Sequence, residues 1–583
     1  MFKISNRILC SIVASAFVFA GCGKKEEAAS VDASALASSD SVLLYVPADT
    51  PYVFANVEPL SDALLDKLEP KIDRMLQSYQ VILREVVEAK RQELSTEELD
   101  SEDVKALNAV VGELMTLLSI DGMRGAGIGR EATGAIYGNG LLPVIRMQLT
   151  DGALFDSAIA RMEEQAGHTF SVAQVDGHDY RYFDADNIRI LIAVIENQAV
   201  ITMVPSTFDE AQTEQALGLT PPKPNIAEAG VLQKIAEDYD FTNHYVGFLD
   251  VEALVEPFVG TPTGINADLL AMASHDKDEL SPACQSEIRS IAGIAPRIVM
   301  GYNDISVEKF DSTVVFELRD DIAAGVQGFT AAVPGLGGDK GGLMSFGMSI
   351  DVKAVRAFIE ARIEGLEAAP FECEHFAEIQ AGVAGARDAL QQPVPPMVYD
   401  FKGFLAVIDK IEGLDLATQT PPTSIEGSFL LAMDNAQAVV SMGALFSPEL
   451  AALNLQSGGE PVALDIPQLQ AMGVAAFAAL SDDAIAISVG AEAAGKIPEM
   501  LDASVSEPVP FLSFSIDAAR YYGFLGEAIA AAETADDDAA SPEMQAAMKE
   551  VMMAVSDLYD RMSADVLLTS RGVELRSSVT LKD

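Results

Sequence analysis

The sequence predicts an α+β protein in which antiparallel strands are backed by helices, and in which this arrangement occurs twice. Two observations lead to that prediction. Short apolar segments with strand periodicity pass into segments with helical periodicity at four places along the chain. The same order of elements also recurs on both sides of a glycine-rich stretch. We therefore predict a tandem duplication, with a first α+β half at 41–332, a Gly-rich junction at 333–342 and a second α+β half at 343–583.

The repeated unit opens with a strand that ends at an asparagine or aspartate. Residues 54–60 and 248–254 match at Phe, Asn or Asp, Val, Glu and Leu, and weaker copies lie at 349–355 and 515–520. A short Asx side chain at a helix start accepts a backbone N–H that the helix leaves unpaired. We therefore expect four Asx residues to be helix N-caps, namely Asn56, Asp250, Asp351 and Asp517.

Hydrophobic periodicity assigns the remaining elements. Helices are expected at 64–89, 101–118, 284–294, 352–366, 373–390 and 542–562. Apolar hairpins are expected at 188–204, interrupted at 196–198, and at 474–489, interrupted at 481–483, and a helical segment follows each hairpin. Alternating strands at 307–320 and 573–583 would close the two halves. Chance agreement of short motifs is the alternative to duplication, and the shared order of elements argues against it.

The first 21 residues have the pattern of a bacterial export signal. Lys3 and Arg7 precede an uncharged apolar segment at 8–19, which is too short to span a bilayer. Small residues then lead directly to Cys22. The segment 19–22 resembles the lipobox that lipoprotein signal peptidase cleaves, with Phe19 where Leu is commoner. This resemblance implies a signal peptide at 1–21 and fatty acylation of Cys22; an ordinary secretory signal is the alternative.

Residues 22–40 are rich in Ser, Ala, Lys, Glu and Asp, and such a stretch buries too little apolar surface to fold. We therefore predict a flexible tether. Gly23, and not Asp, follows the acylated cysteine. By resemblance to enterobacterial sorting, this favours the outer membrane over the inner one, with the protein lipid-anchored and facing the periplasm.

The composition limits the partners. The chain has 38 Lys and Arg against 88 Asp and Glu, a formal net charge of −50. A protein this acidic repels phosphate backbones, so we expect no nucleic-acid partner. No segment after the signal has the roughly 18 consecutive apolar residues that a membrane helix needs. The expected partners are the membrane, through the lipid anchor, and either an envelope protein or a hydrophobic ligand.

Two cysteines remain after Cys10 is removed with the signal and Cys22 is acylated. Cys284 and Cys373 each lie at the start of a predicted helix, and in an oxidising compartment we predict that they form a disulfide. A zinc site is the alternative, since His375 lies two residues after Cys373 and His275 lies nine before Cys284. Cys-x-His without a second paired motif is weak zinc spacing, so we predict no metal and no cofactor.

The opening segment 42–52 is similar to the start of a group of Gram-negative envelope lipoproteins to which no activity is assigned. That resemblance implies a fold and a compartment, and no chemistry. Catalytic motifs are lacking in the sequence, so we predict a non-enzymatic binding or scaffolding protein. A carrier of an acyl or other hydrophobic ligand is the first alternative, because methionines recur at helical spacing within 542–562. An enzyme of unknown class is the second alternative.

Overall fold

The computed structural model describes residues 41–92, 112, 115–166, 169–185, 187–273, 280–414, 422–532 and 541–582. Helices account for 43% of the residues, and the nineteen strands pair in an antiparallel manner. The predicted α+β class is therefore confirmed. Two compact units form, and each is discontinuous in sequence. Of the described residues, those within Met1–Glu279, Val299–Lys309 and Ala540–Ala554 form the first unit, and those within Leu280–Ile298, Phe310–Ala539 and Val555–Asp583 form the second.

The first unit contains eight complete strands among its described residues: β1 (Tyr52–Asn56), β2 (Gly134–Asn139), β3 (Leu142–Gln148), β4 (Ser171–Val175), β5 (His178–Ala185), β6 (Ile188–Ile195), β7 (Gln198–Pro205) and β8 (Val246–Asp250). Its helices are α1 (Asp62–Gln92), α2 (Ile120–Gly125), α3 (Gly152–Ala166), α4 (Glu210–Leu217), α5 (Ile226–Ala229), α6 (Val231–Tyr239), α7 (Val251–Val259) and α8 (Gly264–Met272). A short 3₁₀ helix at Val42–Tyr45 precedes β1.

Strands of the first unit lie in the order β4-β5-β6-β7-β3-β2-β1-β8, with every neighbouring pair antiparallel. One row of paired residues crosses the middle of this sheet and runs Val246, Ala55, Ala135, Arg146, Val200. Against one end of the sheet, α3 contributes Phe155 and Ile159 to a cluster with Met147 and Ala199. In the row across the middle of the sheet, Arg146 is therefore paired with the small or apolar residues Ala135 and Val200.

The predicted hairpin at 188–204 is present as β6 and β7. Its two-residue turn consists of Glu196 (φ +49°) and Asn197 (φ +64°), both in the left-handed region that hairpin turns of this length require. Asn197 holds the turn in place, because its amide donates to Leu149 O (2.8 Å) and accepts from Gly152 N (2.8 Å). Glutamate is an unfavourable residue at positive φ, so the turn geometry alone does not account for Glu196 at this position.

The second unit contains β11 (Met344–Ser349), β12 (Phe401–Glu412), β13 (Ser424–Met433), β14 (Val462–Ala463), β15 (Ala476–Leu480), β16 (Ala484–Val489), β17 (Leu512–Asp517), β18 (Tyr559–Thr569) and β19 (Gly572–Leu581). Its helices are α9 (Pro282–Ala292), α10 (Asp320–Gln327), α11 (Val352–Ala368), α12 (Ala377–Gln391), α13 (Pro396–Asp400), α14 (Ala436–Ala444), α15 (Pro448–Leu453), α16 (Pro467–Ala471), α17 (Ala493–Leu501) and α18 (Ala518–Ala532). Strands β9 (Arg297–Ile305) and β10 (Lys309–Glu317) and helix α19 (Pro542–Leu558) each give residues to both units.

Strands of the second unit lie in the order β14-β15-β16-β13-β12-β11-β17-β18-β19. From β14 to β17 this repeats, strand for strand, the order β5-β6-β7-β3-β2-β1-β8 of the first unit. A row of paired residues again crosses the middle, and it runs Ser513, Gly347, Leu405, Leu430, Ala486. Ser513 lies four residues before Asp517 just as Val246 lies four before Asp250, and when β8 and β17 are aligned on these aspartates, Leu430 lies at the position of Arg146.

Three of the four predicted N-caps are confirmed. Asp250, Asp351 and Asp517 accept hydrogen bonds from Ala253 N (2.8 Å), Ala354 N (2.9 Å) and Arg520 N (2.9 Å). The prediction for Asn56 is wrong. Its amide donates to Ala132 O (3.3 Å), and the chain continues to Ser61, whose hydroxyl accepts from Leu64 N (3.3 Å) in the first turn of α1.

The glycine-rich stretch 333–342 is packed against the second unit. Val333 and Leu336 are fully buried and contact Leu405 and Leu430. The Arg561 guanidinium donates to the carbonyl groups of Gly341 (2.6 Å) and Gly342 (3.1 Å). These contacts make the stretch part of the core that covers one face of the second sheet.

Two element predictions need correction. The helix predicted at 542–562 ends at Leu558, and Tyr559 and Met562 lie in β18. The strand predicted to begin at 307 begins at Lys309, because Ser306 accepts from Lys309 N (3.1 Å) and closes the turn before β10. In the part of the chain that the structure describes, no helix has the length and apolar character needed to cross a membrane.

Candidate functional site

A cavity of about 550 Å³ lies in the first unit. Its wall is formed by the segment after the 3₁₀ helix, by the turn between β2 and β3, by α4 with the chain that follows it, and by the starts of α7 and α8. Asn266 on α8 accepts from Leu141 N (2.7 Å), which ties α8 to the β2–β3 turn. The volume is typical of sites for small molecules.

Arg146 on β3 lies behind this wall and has no solvent exposure. Its two terminal nitrogens donate to Leu217 O (3.4 Å) and Gly218 O (3.3 and 3.4 Å) at the C-terminal end of α4. Its Nε has no hydrogen-bond partner among the residues that the structure describes. Burial lowers the pKa of Arg146, but an arginine stays protonated in proteins, so a full positive charge is held here. That charge is favourable next to the carbonyl end of a helix.

Tyr45 covers Arg146, with the guanidinium carbon 3.5 Å from the ring centroid. The Tyr45 hydroxyl donates to Glu196 Oε2 at 2.7 Å. Burial, with the hydrogen bond to Glu196, raises the pKa of Tyr45, so the hydroxyl stays protonated. Arg146, Tyr45 and Glu196 thus form one assembly, in which the tyrosine lies between a buried cation and a carboxylate. The unfavourable φ of Glu196 is retained where its carboxylate is needed.

Tyr137 on β2 borders the cavity and is only 2% exposed. Among the described residues, its hydroxyl has no hydrogen-bond partner. Burial raises the pKa of Tyr137 to about 12, against the opposing effect of Arg146, so the group is a neutral phenol. A Cβ on Gly218 would lie 3.8 Å from this hydroxyl. Because Tyr137 lines the cavity, its hydroxyl can offer a hydrogen bond to whatever enters there.

The two charged side chains that line the cavity in the described part of the chain are Asp49 and Glu214, and both are acidic. Neither carboxylate makes a hydrogen bond or an ion pair there. The N-terminus of α8 also reaches the cavity, where Thr263 makes no side-chain cap. The wall therefore combines negative charge with free hydrogen-bonding groups.

The corresponding place in the second unit has different chemistry. Leu430 replaces Arg146 there, and Leu336 and Leu405 pack against it in a fully apolar cluster. The same order of strands is therefore compatible with leucine at this position. Arg146 is a property of the first unit, and the fold does not demand it.

Of the residues that the sequence pointed to, Cys22 and His275 lie outside the described residues. Cys284 and Cys373 are placed together, with sulfur atoms 2.09 Å apart, the distance of a disulfide. Both are buried, and the Glu287 carboxylate accepts from Cys373 N (3.1 Å) beside them. His375 lies in the turn of 3₁₀ helix that follows Cys373.

The sequence did not indicate the cavity with its lining residues Tyr45 and Tyr137, or the assembly of Arg146 and Glu196 beside it. One signal was present: Arg146 interrupts an otherwise apolar strand, and a charge at such a position needs a partner that the strand itself cannot supply.

No family model, no curated protein and no solved structure matches this chain.

Proposed function

We propose that this protein is a lipid-anchored envelope protein, acylated at Cys22 on the periplasmic face of the outer membrane, which binds a small molecule without catalysing a reaction. The observation that carries the binding role is the cavity of about 550 Å³, bordered by the Tyr137 hydroxyl and two carboxylates, none of which has a partner among the described residues. Groups of this kind give a ligand its orientation. Tyr45 is part of the cavity wall, and Arg146 packs against the Tyr45 ring from behind.

We further propose that the two units arose by tandem duplication. The shared order of seven strands supports this, and so do the matched N-caps Asp250 and Asp517. In this interpretation the copies diverged at the sheet centre, where the first has Arg146 beside a cavity and the second has Leu430 within apolar core.

The anchor is tested by Cys22→Ala. We expect this variant to move from the membrane fraction to the soluble periplasmic fraction, because two or more acyl chains are what hold a protein stably at a bilayer. Metabolic labelling with a fatty acid should also be lost. Continued sedimentation of the variant with membranes would show that another part of the chain holds it there.

The cavity is tested by Ala211→Phe, which adds a ring to an exposed residue at the cavity wall on α4. We expect native mass spectrometry of the wild-type protein to show a bound small molecule, and the variant to lack it. Ala153→Phe is the matched control, since Ala153 is an exposed helical residue on α3 away from the cavity lining. A ligand lost equally from both variants would contradict the assignment.

A hydrophobic ligand is the second candidate, and one feature of the second unit favours it. Phe346, Phe404 and Phe429 lie in a row across β11, β12 and β13, with ring centroids 5.7 and 5.9 Å apart. Phe346 and Phe429 are 42% and 37% exposed. An acyl compound that the Ala211→Phe variant retains would favour this carrier role over the cavity.

A further inference from the structure

We propose that the cavity of the first unit binds a small organic cation that carries a primary amine, such as a short diamine. This inference depends on the proposed function, in which the cavity takes a small ligand, and it names the chemistry of that ligand. It is carried by the charge of the cavity wall and by the free hydroxyl of Tyr137.

The charged side chains of the described cavity lining are all acidic. Asp49 and Glu214 line the cavity without partners, and the described lining contains neither lysine nor arginine. Asp49 is exposed and Glu214 is partly exposed, and both carboxylates add negative potential at the cavity, which attracts a cation. An anionic ligand would add to the negative charge, and a neutral ligand would leave both carboxylates unpaired.

The hydrogen-bonding groups of the cavity also favour a cation. Tyr137 is only 2% exposed, and it lines the cavity. Its neutral hydroxyl has no hydrogen-bond partner among the described residues. A phenol oxygen accepts an N–H from an ammonium group, which has three donors to place. The carboxylates and this hydroxyl together provide three acceptors for one or two ammonium groups. Hydrogen bonds from an ammonium to a carboxylate are about twice as strong as neutral ones.

Arg146 is the nearby positive charge that could argue for an anion. However, it is fully buried, and its terminal nitrogens donate to the carbonyl groups of Leu217 and Gly218. Tyr45 covers the guanidinium and passes a hydrogen bond to Glu196, so a carboxylate is already committed to this assembly. Arg146 is therefore a positioning residue that fixes Gly218 and Tyr45 at the cavity wall.

Three compounds with the same four-carbon chain test the proposal: putrescine, 1,4-butanediol and succinate. They carry two positive charges, no charge and two negative charges, respectively. Isothermal titration of the full chain with Cys22→Ala, after exhaustive dialysis, should show putrescine binding at least about ten-fold more tightly than either of the others. Putrescine affinity should also fall with salt, as expected for paired charges.

Variants locate the binding. Glu214→Gln should weaken putrescine binding by about ten-fold, since it removes one charge and keeps the shape. Tyr137→Phe should weaken it by a smaller factor. Glu237→Gln is the matched control, because Glu237 is an exposed carboxylate on α6 outside the cavity lining. This variant should bind putrescine with the same affinity as the protein that keeps Glu237.

Several outcomes would overturn the proposal, and they are distinguishable from failure of the proposed function. Tighter binding of succinate, lost in Ala211→Phe, would replace the cation with an anion and leave the cavity as the site. Putrescine binding that Glu214→Gln and Glu237→Gln reduce equally would mean nonspecific attraction to an acidic protein. If no compound binds and the native protein holds no ligand that Ala211→Phe removes, both the cation and the binding cavity are wrong.

Discussion

Arg146→Met is expected to destabilise the first unit by about 2–4 kcal/mol, because it leaves two carbonyl acceptors without their donors. The methionine keeps most of the volume and removes the charge. It would leave the buried carbonyl groups of Leu217 and Gly218 without donors and the Glu196 carboxylate without its nearby cation. Unsatisfied buried polar groups, and not a cavity, would then be the cause of the loss.

The matched control is Leu430→Met, at the corresponding place in the second unit. A swap between apolar residues of similar volume should cost less than about 1.5 kcal/mol. Calorimetric unfolding of both variants measures the comparison, and hydrogen exchange at β3 and α4 shows whether the loss is confined to the first unit. Equal effects of the two substitutions would mean that the arginine contributes only packing.

Joint replacement of Cys284 and Cys373 by alanine is expected to lower the stability of the second unit by about 2–5 kcal/mol. The bond closes a loop across 89 residues, and in the chain-entropy model it acts mainly by restricting the unfolded chain. Both cysteines are buried, at 0% and 2% exposure, so their loss also removes packing.

Reductant gives the internal control for this prediction. Dithiothreitol should lower the unfolding temperature of the wild-type protein and leave that of the double variant unchanged. Alkylation of both thiols in the unfolded wild-type protein, without any reductant, would show that the bond does not form.

The sequence predicted those features that depend on neighbours along the chain. Asp250, Asp351 and Asp517 could be identified as caps because strand, Asx and helix follow one another directly. Asn56 failed because five further residues intervene before α1 begins, and periodicity does not locate such a delay.

The predicted methionine stripe of α19 shows a second limit. The buried positions of this helix are Ala547, Val551, Ala554 and Leu558, whereas the methionines are less buried. Alanines on a buried helix face contribute little to the hydrophobic periodicity of the sequence. They nevertheless let the helix backbone pack closest to its neighbours. The large residues beside them then suggest the wrong face.

The cavity could not have been predicted in this way. Tyr45, Tyr137, Arg146 and Gly218 are spread over more than 170 positions and meet only after the order β7-β3-β2-β1 is fixed. A lone arginine in an apolar strand indicates that a partner exists. It does not indicate which distant carbonyl or aromatic ring that partner is.

The discontinuity of the two units has a consequence for how this protein is made. Ser541 donates a hydrogen bond to Glu85 on α1, and Lys67 donates to Val307 O (2.8 Å), so the first unit contains segments from three separate parts of the chain. A polypeptide that emerges from its amino end cannot complete that unit until nearly all of the second has followed. The nascent chain must therefore keep an unfinished surface protected for most of its synthesis, and cleavage at any single point between residues 280 and 554 would divide both units.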